Sequence, residues 1–151
     1  MPYTDSPDSS QAKITDIGRS YFARSILGDV SFKALGFTVG KSGYVDSNPV
    51  KILPINTADT SLVAQFYPLI GVNSFETIEI PEPKTIVLNC RLSHSNPDNI
   101  GAIGELGIWG EVLYSTVPAE IGTVFLFAIA HNPILVKNMQ NVFVYRILTQ
   151  F

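Results

Sequence analysis

The sequence is poor in charge. Charged residues make up 15% of its 151 residues, against about 25% in an average globular domain. A small domain exposes much of its area to water, so a surface with this little charge predicts that other chains cover part of it. The 10 basic residues are scattered and the net charge is −3. This argues against a nucleic-acid binder, which needs a basic stripe, and against a polybasic membrane patch.

The sequence also lacks the residues that disulfides and cysteine-based metal sites require. Cys90 is the single cysteine, so it forms no disulfide within the chain and no zinc site of cysteines. The N-terminus is acidic, polar and interrupted by proline, unlike a signal peptide. The longest uncharged apolar stretch, residues 121–136, is too short to span a bilayer as a helix. We expect a soluble protein made in a reducing cytoplasm, with no membrane insertion.

One helix is predicted near the start of the chain. Residues 1–12 are rich in Ser, Asp and Pro and predict a flexible arm, followed by a single β-rich domain over residues 13–151. Thr15 is a suitable N-cap and Gly28 a suitable stop for a helix over residues 15–27. The apolar residues of this helix spread over more than one face, which predicts that it is covered on two sides.

The remainder of the chain has the pattern of strands. The hydrophobic pattern has a period of two over residues 32–39, and strands are also predicted over residues 103–114, which glycines interrupt, 124–130 and 142–149. Residues 77–80 and 85–92 flank a proline-rich turn typical of a hairpin. A weaker pattern predicts a short helix over residues 59–66. Strands that follow one another in sequence favour antiparallel pairing. The sequence therefore predicts a mainly β fold, a small antiparallel β-sandwich or open barrel with an N-terminal α-helix.

The histidines do not form a recognisable catalytic motif. His94 lies between two serines in a polar loop, but a Ser–His pair needs a third group that orients the imidazole. His131 ends an apolar run and precedes Asn-Pro, which predicts a hydrogen-bonded structural histidine at the start of a turn. Neither histidine has the spacing of a metal site. We expect no catalytic residues, metal, cofactor or small-molecule substrate.

Glu105 is the most informative carboxylate, because it lies in an otherwise apolar run. A buried carboxylate needs partners, which would be backbone amides or a basic residue such as Arg19 or Arg24. A pair of carboxylates can also catalyse glycoside hydrolysis, with Glu105 and Glu120 as the candidates. Structural pairing is a common cause of perturbed carboxylates, so the sequence favours a structural buried carboxylate and a protein that is not an enzyme.

The aromatic residues have two interpretations. Aromatic side chains concentrate in cores and subunit interfaces, and we take Tyr3, Trp109, Tyr145 and Phe151 as candidate interface residues. Trp109 and Tyr145, together with Tyr114, would alternatively form a carbohydrate-binding face.

Four stretches, taken in order, resemble a known family. They are residues 14–19, which open the helix, residues 37–44, a strand that ends in a Gly/Tyr turn, residues 105–109, and residues 118–128. This order resembles the tail-fibre or tail-collar type of N-terminal domain of tailed bacteriophages, and related small tail, baseplate and neck proteins. In that family a leading helix precedes a strand with a Phe-x-x-Gly-type turn and, later, a Glu-x-Gly-hydrophobic-aromatic strand.

The resemblance implies a bacteriophage virion structural protein, either a tail, baseplate or neck component or a fibre adaptor, that acts by oligomeric assembly. Its expected partners are copies of itself and other virion proteins, and its expected location is the virion, after assembly in the host cytoplasm. Because no fibre shaft or receptor-binding tip follows in the sequence, an adaptor or ring protein is favoured over direct host recognition. The alternative is a lectin-like carbohydrate-binding module for host attachment.

Overall fold

A computed structural model describes residues 12–45, 51–67, 71–75, 77–82, 85–92, 101–137 and 143–150. In chain order the elements are β1 (Lys13–Ile14), α1 (Asp16–Ile26), β2 (Val30–Gly40), β3 (Tyr44–Val45), β4 (Lys51–Ile52), β5 (Gln65–Tyr67), β6 (Thr77–Glu82), β7 (Thr85–Leu92), β8 (Gly101–Ser115), a 3-10 turn (Pro118–Glu120), β9 (Val124–Lys137) and β10 (Phe143–Gln150).

The described strands form two main antiparallel sheets. The larger sheet has five strands in the order β1-β9-β8-β2-β5, and the smaller has three in the order β10-β7-β6. A short β3-β4 ribbon lies beside them. The sheets of the described residues do not close into a barrel. This confirms the predicted mainly β, antiparallel architecture with one helix near the N-terminus.

Helix α1 begins and ends where its sequence signals predict. The side chain of Thr15 accepts a hydrogen bond from the backbone N–H of Gly18 at 3.0 Å, which satisfies one of the unpaired donors of the first turn. Gly28 follows the C-cap with a φ of 76°, a conformation that glycine adopts without steric cost. Only one side of the helix is covered by the described chain, since Ile26 and Leu27 are 72% and 82% exposed. The predicted second covering is therefore not supplied by these residues.

The main core lies between the two sheets. Phe37 and Val39 of β2 and Ile108 of β8 are fully buried or nearly so, and they cluster with Leu88 and Cys90 of β7. Contact between residues of the larger and smaller sheets gives the arrangement of a small sandwich. Burial raises the pKa of the Cys90 thiol well above its usual range, and this cysteine packs as a small apolar core residue.

A second, aromatic cluster lies beneath α1. The ring of Phe125 is 4.4 Å from that of Tyr21 and 5.4 Å from that of Phe32, measured between centroids. The Phe32 and Phe125 rings meet edge to face, a preferred geometry for aromatic pairs. Through this cluster the helix packs on the same face of the larger sheet as the smaller sheet does, because Phe127 contacts both this cluster and the main core.

Residues 51–67 run from β4 to β5, and the part between these two strands covers the opposite face of the larger sheet. Leu62 packs against Leu126 and Ile129 there. The prediction of a short helix over residues 59–66 is wrong, because this segment consists of turns that lead into β5. A weak local helical preference is overridden by tertiary contacts of this kind.

The predicted turn after His131 is also wrong, since β9 continues to Lys137. Pro133 lies within this strand, and proline has no N–H to donate to a sheet. Among the described residues β1 pairs with β9 only at Ile129 and Ala128, so no described strand needs a donor from Pro133 on that side. Proline is tolerated in strands at such edge positions.

Candidate functional site

Glu105 is buried and holds a covering segment onto the sheet. Its side chain is 1% exposed. Its carboxylate accepts hydrogen bonds from the backbone N–H groups of Ala64 at 2.8 Å and Val63 at 3.3 Å. Of the partners that the sequence leaves open, the structure places backbone amides at this carboxylate. Hydrogen bonds to a charged acceptor are the stronger ones in proteins, so Glu105 anchors the end of segment 51–67.

A glycine on the neighbouring strand makes room for this carboxylate. Gly40 of β2 pairs with Glu105 of β8, and a Cβ atom at Gly40 would lie 2.2 Å from the Oε1 atom of Glu105. No real Cβ contact is that short. The pairing therefore requires glycine at this position while Glu105 keeps its place.

His131 anchors the same segment nearer its beginning. It pairs with Glu105 in the register of β8 and β9, and its Nδ1 atom lies 2.8 Å from the carbonyl oxygen of Leu53. The carbonyl can only accept, so Nδ1 carries the proton and donates. Glu105 therefore binds the backbone near the end of segment 51–67, and His131 binds it near the beginning. These contacts indicate a structural role for both side chains.

The candidate glycosidase pair is not brought together. Glu105 lies near one end of β8, whereas Glu120 binds to Ser115 at the other end of that strand. Ten residues of strand span about 33 Å at the usual rise. Hydrolysis needs two carboxyl groups within about 10 Å, so these two do not form a catalytic pair. The described residues also contain no group of three His, Cys, Asp or Glu side chains suited to a metal ion.

The structure describes two of the four candidate interface residues. The indole N–H of Trp109 donates to the Oγ1 atom of Thr38 at 2.8 Å, and its half-buried ring packs against the cluster around Leu126. Tyr145 lies on β10 opposite Cys90. Tyr3 and Phe151 lie outside the described residues.

A network of polar side chains ties the end of α1 to the β8–β9 hairpin. The guanidinium of Arg24 donates two parallel hydrogen bonds to Glu120, at 2.7 and 2.9 Å, and a third bond to Asp29. Ser115 donates to Glu120 at 2.7 Å, and Thr116 donates to Asp29. Bidentate pairs of this kind fix geometry as well as adding energy. The pair therefore holds the tip of the β8–β9 hairpin against the C-terminal end of α1.

The network shifts the pKa of each of its members. Hydrogen bonds from Thr116 and then Arg24 hold the pKa of Asp29 below its ordinary value of 3.8. Hydrogen bonds from Arg24 and then Ser115 hold the pKa of Glu120 below its ordinary value of 4.5. The same bonds to Glu120 and Asp29 raise the pKa of Arg24. All three groups are thus charged at neutral pH.

The network predicts a loss of stability in acid. Because both carboxyl pKa values are lower in the folded chain than in the unfolded chain, the unfolded chain binds more protons as the pH falls. The stabilisation is complete well above the ordinary carboxyl pKa values of 3.8 and 4.5, and it is lost as the pH falls through the lower pKa values of the folded chain. We expect Arg24→Gln to lower Tm by several degrees at pH 7, with a difference from the unaltered protein that shrinks towards pH 3.

Thermal unfolding followed by circular dichroism over this pH range measures the difference. Arg19→Gln is the matched control, because Arg19 is an exposed arginine of the same helix. A difference in Tm for Arg24→Gln that stays constant between pH 7 and pH 3 would contradict the assignment.

Around this network the protein exposes large apolar side chains. Ile26 and Leu27 follow Arg24 on the chain, while Val117 and Ile121 flank the 3-10 turn that carries Glu120, and they are 49% and 50% exposed. We call these four residues the apolar end. Sequence reasoning missed both the apolar end and the network; the one signal was the spread of apolar residues around the helix.

Comparison of the chain with protein-family models, curated proteins and solved structures found no match. No helix among the described residues has the length and apolar character needed to cross a membrane.

Proposed function

We propose that this chain is a structural protein that acts by assembling with other subunits through its apolar end. The observation that carries the proposal is the exposure of Ile26, Leu27, Val117 and Ile121 around the hydrogen-bonded ion-pair network of Arg24. Exposed apolar side chains that lie together mark interaction sites. The network supports this role because it fixes the surface before a partner binds, which reduces the ordering cost of association.

The resemblance to bacteriophage tail proteins supplies the biological setting of the proposal. In that setting the chain is a tail, baseplate or neck component or a fibre adaptor, with copies of itself and other virion proteins as partners. The low charge of the sequence supports this setting, since interface centres are depleted in charged residues.

Charge introduced into the apolar end is expected to block assembly. A glutamate at the centre of an apolar contact must be desolvated without a partner, which is strongly unfavourable. We expect Leu27→Glu and Ile121→Glu each to weaken incorporation into particles by about 30-fold, the effect of losing one interface hot spot. Particles assembled with tagged variants, purified and quantified by immunoblot, provide the measurement.

Ile52→Glu is the matched control, because Ile52 is also an exposed apolar residue, at 38%, but lies on β4 and not at the apolar end. Its incorporation should equal that of the unaltered chain. The proposal fails if the unaltered chain is absent from purified virions, or if Leu27→Glu and Ile52→Glu are incorporated equally well.

A further inference from the structure

A cleft opens between α1 and the smaller sheet. Its volume is about 660 Å³, and its floor is the larger sheet. Phe22 of the helix forms one side, and Ile78 and Leu88 of the smaller sheet form the other. The helix and the smaller sheet cover the same face of the larger sheet, so the cleft is a gap in the second layer of the sandwich. An apolar gap of this size favours an occupant that brings apolar side chains.

One wall of the cleft is the edge of a strand. Five consecutive residues of β2, Val30 to Ala34, line it. Side chains alternate between the two faces of a strand, so five residues in a row indicate that the backbone edge itself faces the cleft. Among the described residues no strand pairs with this part of β2 on the side away from β8. Edges with unpaired N–H and C=O groups are templates for another strand.

These two features together specify the chemistry of the occupant. Backbone groups of the β2 edge need hydrogen-bonding partners, and the cleft beside them needs apolar side chains. An extended polypeptide that presents apolar residues at alternate positions provides both, as in recognition by strand addition.

The rim of the cleft carries such a strand. On β6, Ile78 lines the cleft, and Ile80, two residues further along the strand, is 71% exposed. Between them is Glu79, which is exposed. On the facing edge the Nζ atom of Lys33 lies 3.6 Å from the Oε1 atom of Glu111 of the same chain, and the Lys33 side chain keeps 53% of its surface exposed. The patch therefore contains an apolar gap with a protruding apolar strand, and a positive with a negative side chain. A receiving cleft with an unpaired strand edge and a protruding apolar edge strand on the same chain suit a two-fold contact between identical chains.

We propose that the cleft binds a second copy of this chain, with the β6 edge of each copy beside the β2 edge of the other. Ile80 of one copy enters the cleft of its partner, and Glu79 approaches Lys33. The proposal names one contact within the assembly role proposed above and rests on that role, but it concerns a surface distinct from the apolar end.

Residues 1–11 of the same chain suit the cleft less well. Their sequence offers only Met1 and Tyr3 as large apolar side chains, with two aspartates and two prolines. β1 also pairs Lys13 with Ile129 and Ile14 with Ala128. The chain therefore enters β1 from the His131 side of β9, away from Phe127, which lines the cleft.

Sedimentation velocity over a wide concentration range tests the proposal. We expect the unaltered chain to form dimers. We expect Ile80→Glu to raise the dimer Kd by about 30-fold or more, because it places a charge on the protruding strand. We expect Ala34→Trp to raise the dimer Kd as much, because the larger side chain fills the cleft that Ile80 of the other copy would enter. Ile52→Glu is the control and should dimerise as the unaltered chain does, because Ile52 is an exposed apolar residue that does not line the cleft. Circular dichroism melts establish that each variant is folded, and Ala34→Leu provides a smaller filling residue if Ala34→Trp does not fold.

Two results would overturn the inference without touching the proposed function. One is an unaltered chain that stays monomeric at every concentration but is still incorporated into particles. The other is a dimer that persists in both Ile80→Glu and Ala34→Trp. If instead the dimer forms as described but the chain is absent from virions, the proposed role fails and the contact stands.

Discussion

Glu105→Ala is expected to lower the free energy of unfolding by about 3–5 kcal/mol. The substitution removes the acceptor of the Ala64 and Val63 amides, and loss of a hydrogen bond to a charged group costs about 1.5–3 kcal/mol. It also leaves a cavity beside Gly40, because the side chain of Glu105 is almost fully buried. Chemical denaturation measures the loss, and hydrogen exchange at the Ala64 amide should accelerate with it.

Glu105→Gln is the matched control for this result. Glutamine has nearly the same shape and keeps one acceptor oxygen, so we expect a loss of only about 1–2 kcal/mol. The glycine opposite offers an independent check, since Gly40→Ala should destabilise the unaltered chain but be tolerated when Glu105 is alanine. A Glu105→Ala variant as stable as the unaltered chain would rule out the anchoring role.

Features encoded locally were predictable from the sequence. Thr15 and Gly28 bound helix α1 in the sequence and in the structure, because capping depends on residues within one turn of each other. The antiparallel arrangement was predictable in part for a similar reason, since β3 with β4, β6 with β7 and β8 with β9 are pairs of strands adjacent in sequence. Local signals could not show that Pro133 lies within β9, because its tolerance depends on how much of that strand's outer edge is paired.

Features that depend on distant residues were not predictable. The apolar run around Glu105 indicated a buried carboxylate, but its donors come from about forty residues earlier in the chain. No local pattern relates the two segments. The apolar end was missed for the same reason. Arg24 and Glu120 are 96 residues apart, and the exposure of Ile26 and Ile121 follows from where this pair places the helix against the hairpin. The spread of apolar residues around α1 did carry information, because its exposed part belongs to the surface that we propose for assembly.

Gly18→Ala is expected to destabilise the fold by about 2 kcal/mol, although alanine is the better helix former. In an exposed helix this change would stabilise by about 1 kcal/mol. Here a Cβ atom would lie 2.5 Å from the carbonyl oxygen of Phe127, and overpacking of this kind costs about 1–3 kcal/mol. That carbonyl cannot easily retreat, because it accepts the backbone N–H of Thr15 at 2.9 Å.

Displacing the helix would also break its N-cap. Thr15 is fully buried, and its hydroxyl donates to the carbonyl of Leu126 at 2.6 Å while accepting the N–H of Gly18. A shift that relieves the new contact lengthens these bonds, and loss of a cap costs about 1 kcal/mol. The steric and capping losses together exceed the gain in helix propensity, so the net effect of Gly18→Ala on stability is destabilising. Ser20→Ala, on an exposed position of α1, gains propensity without the contact and should be neutral or slightly stabilising. If urea denaturation shows both variants to be stabilised, the helix does not pack this closely against β9.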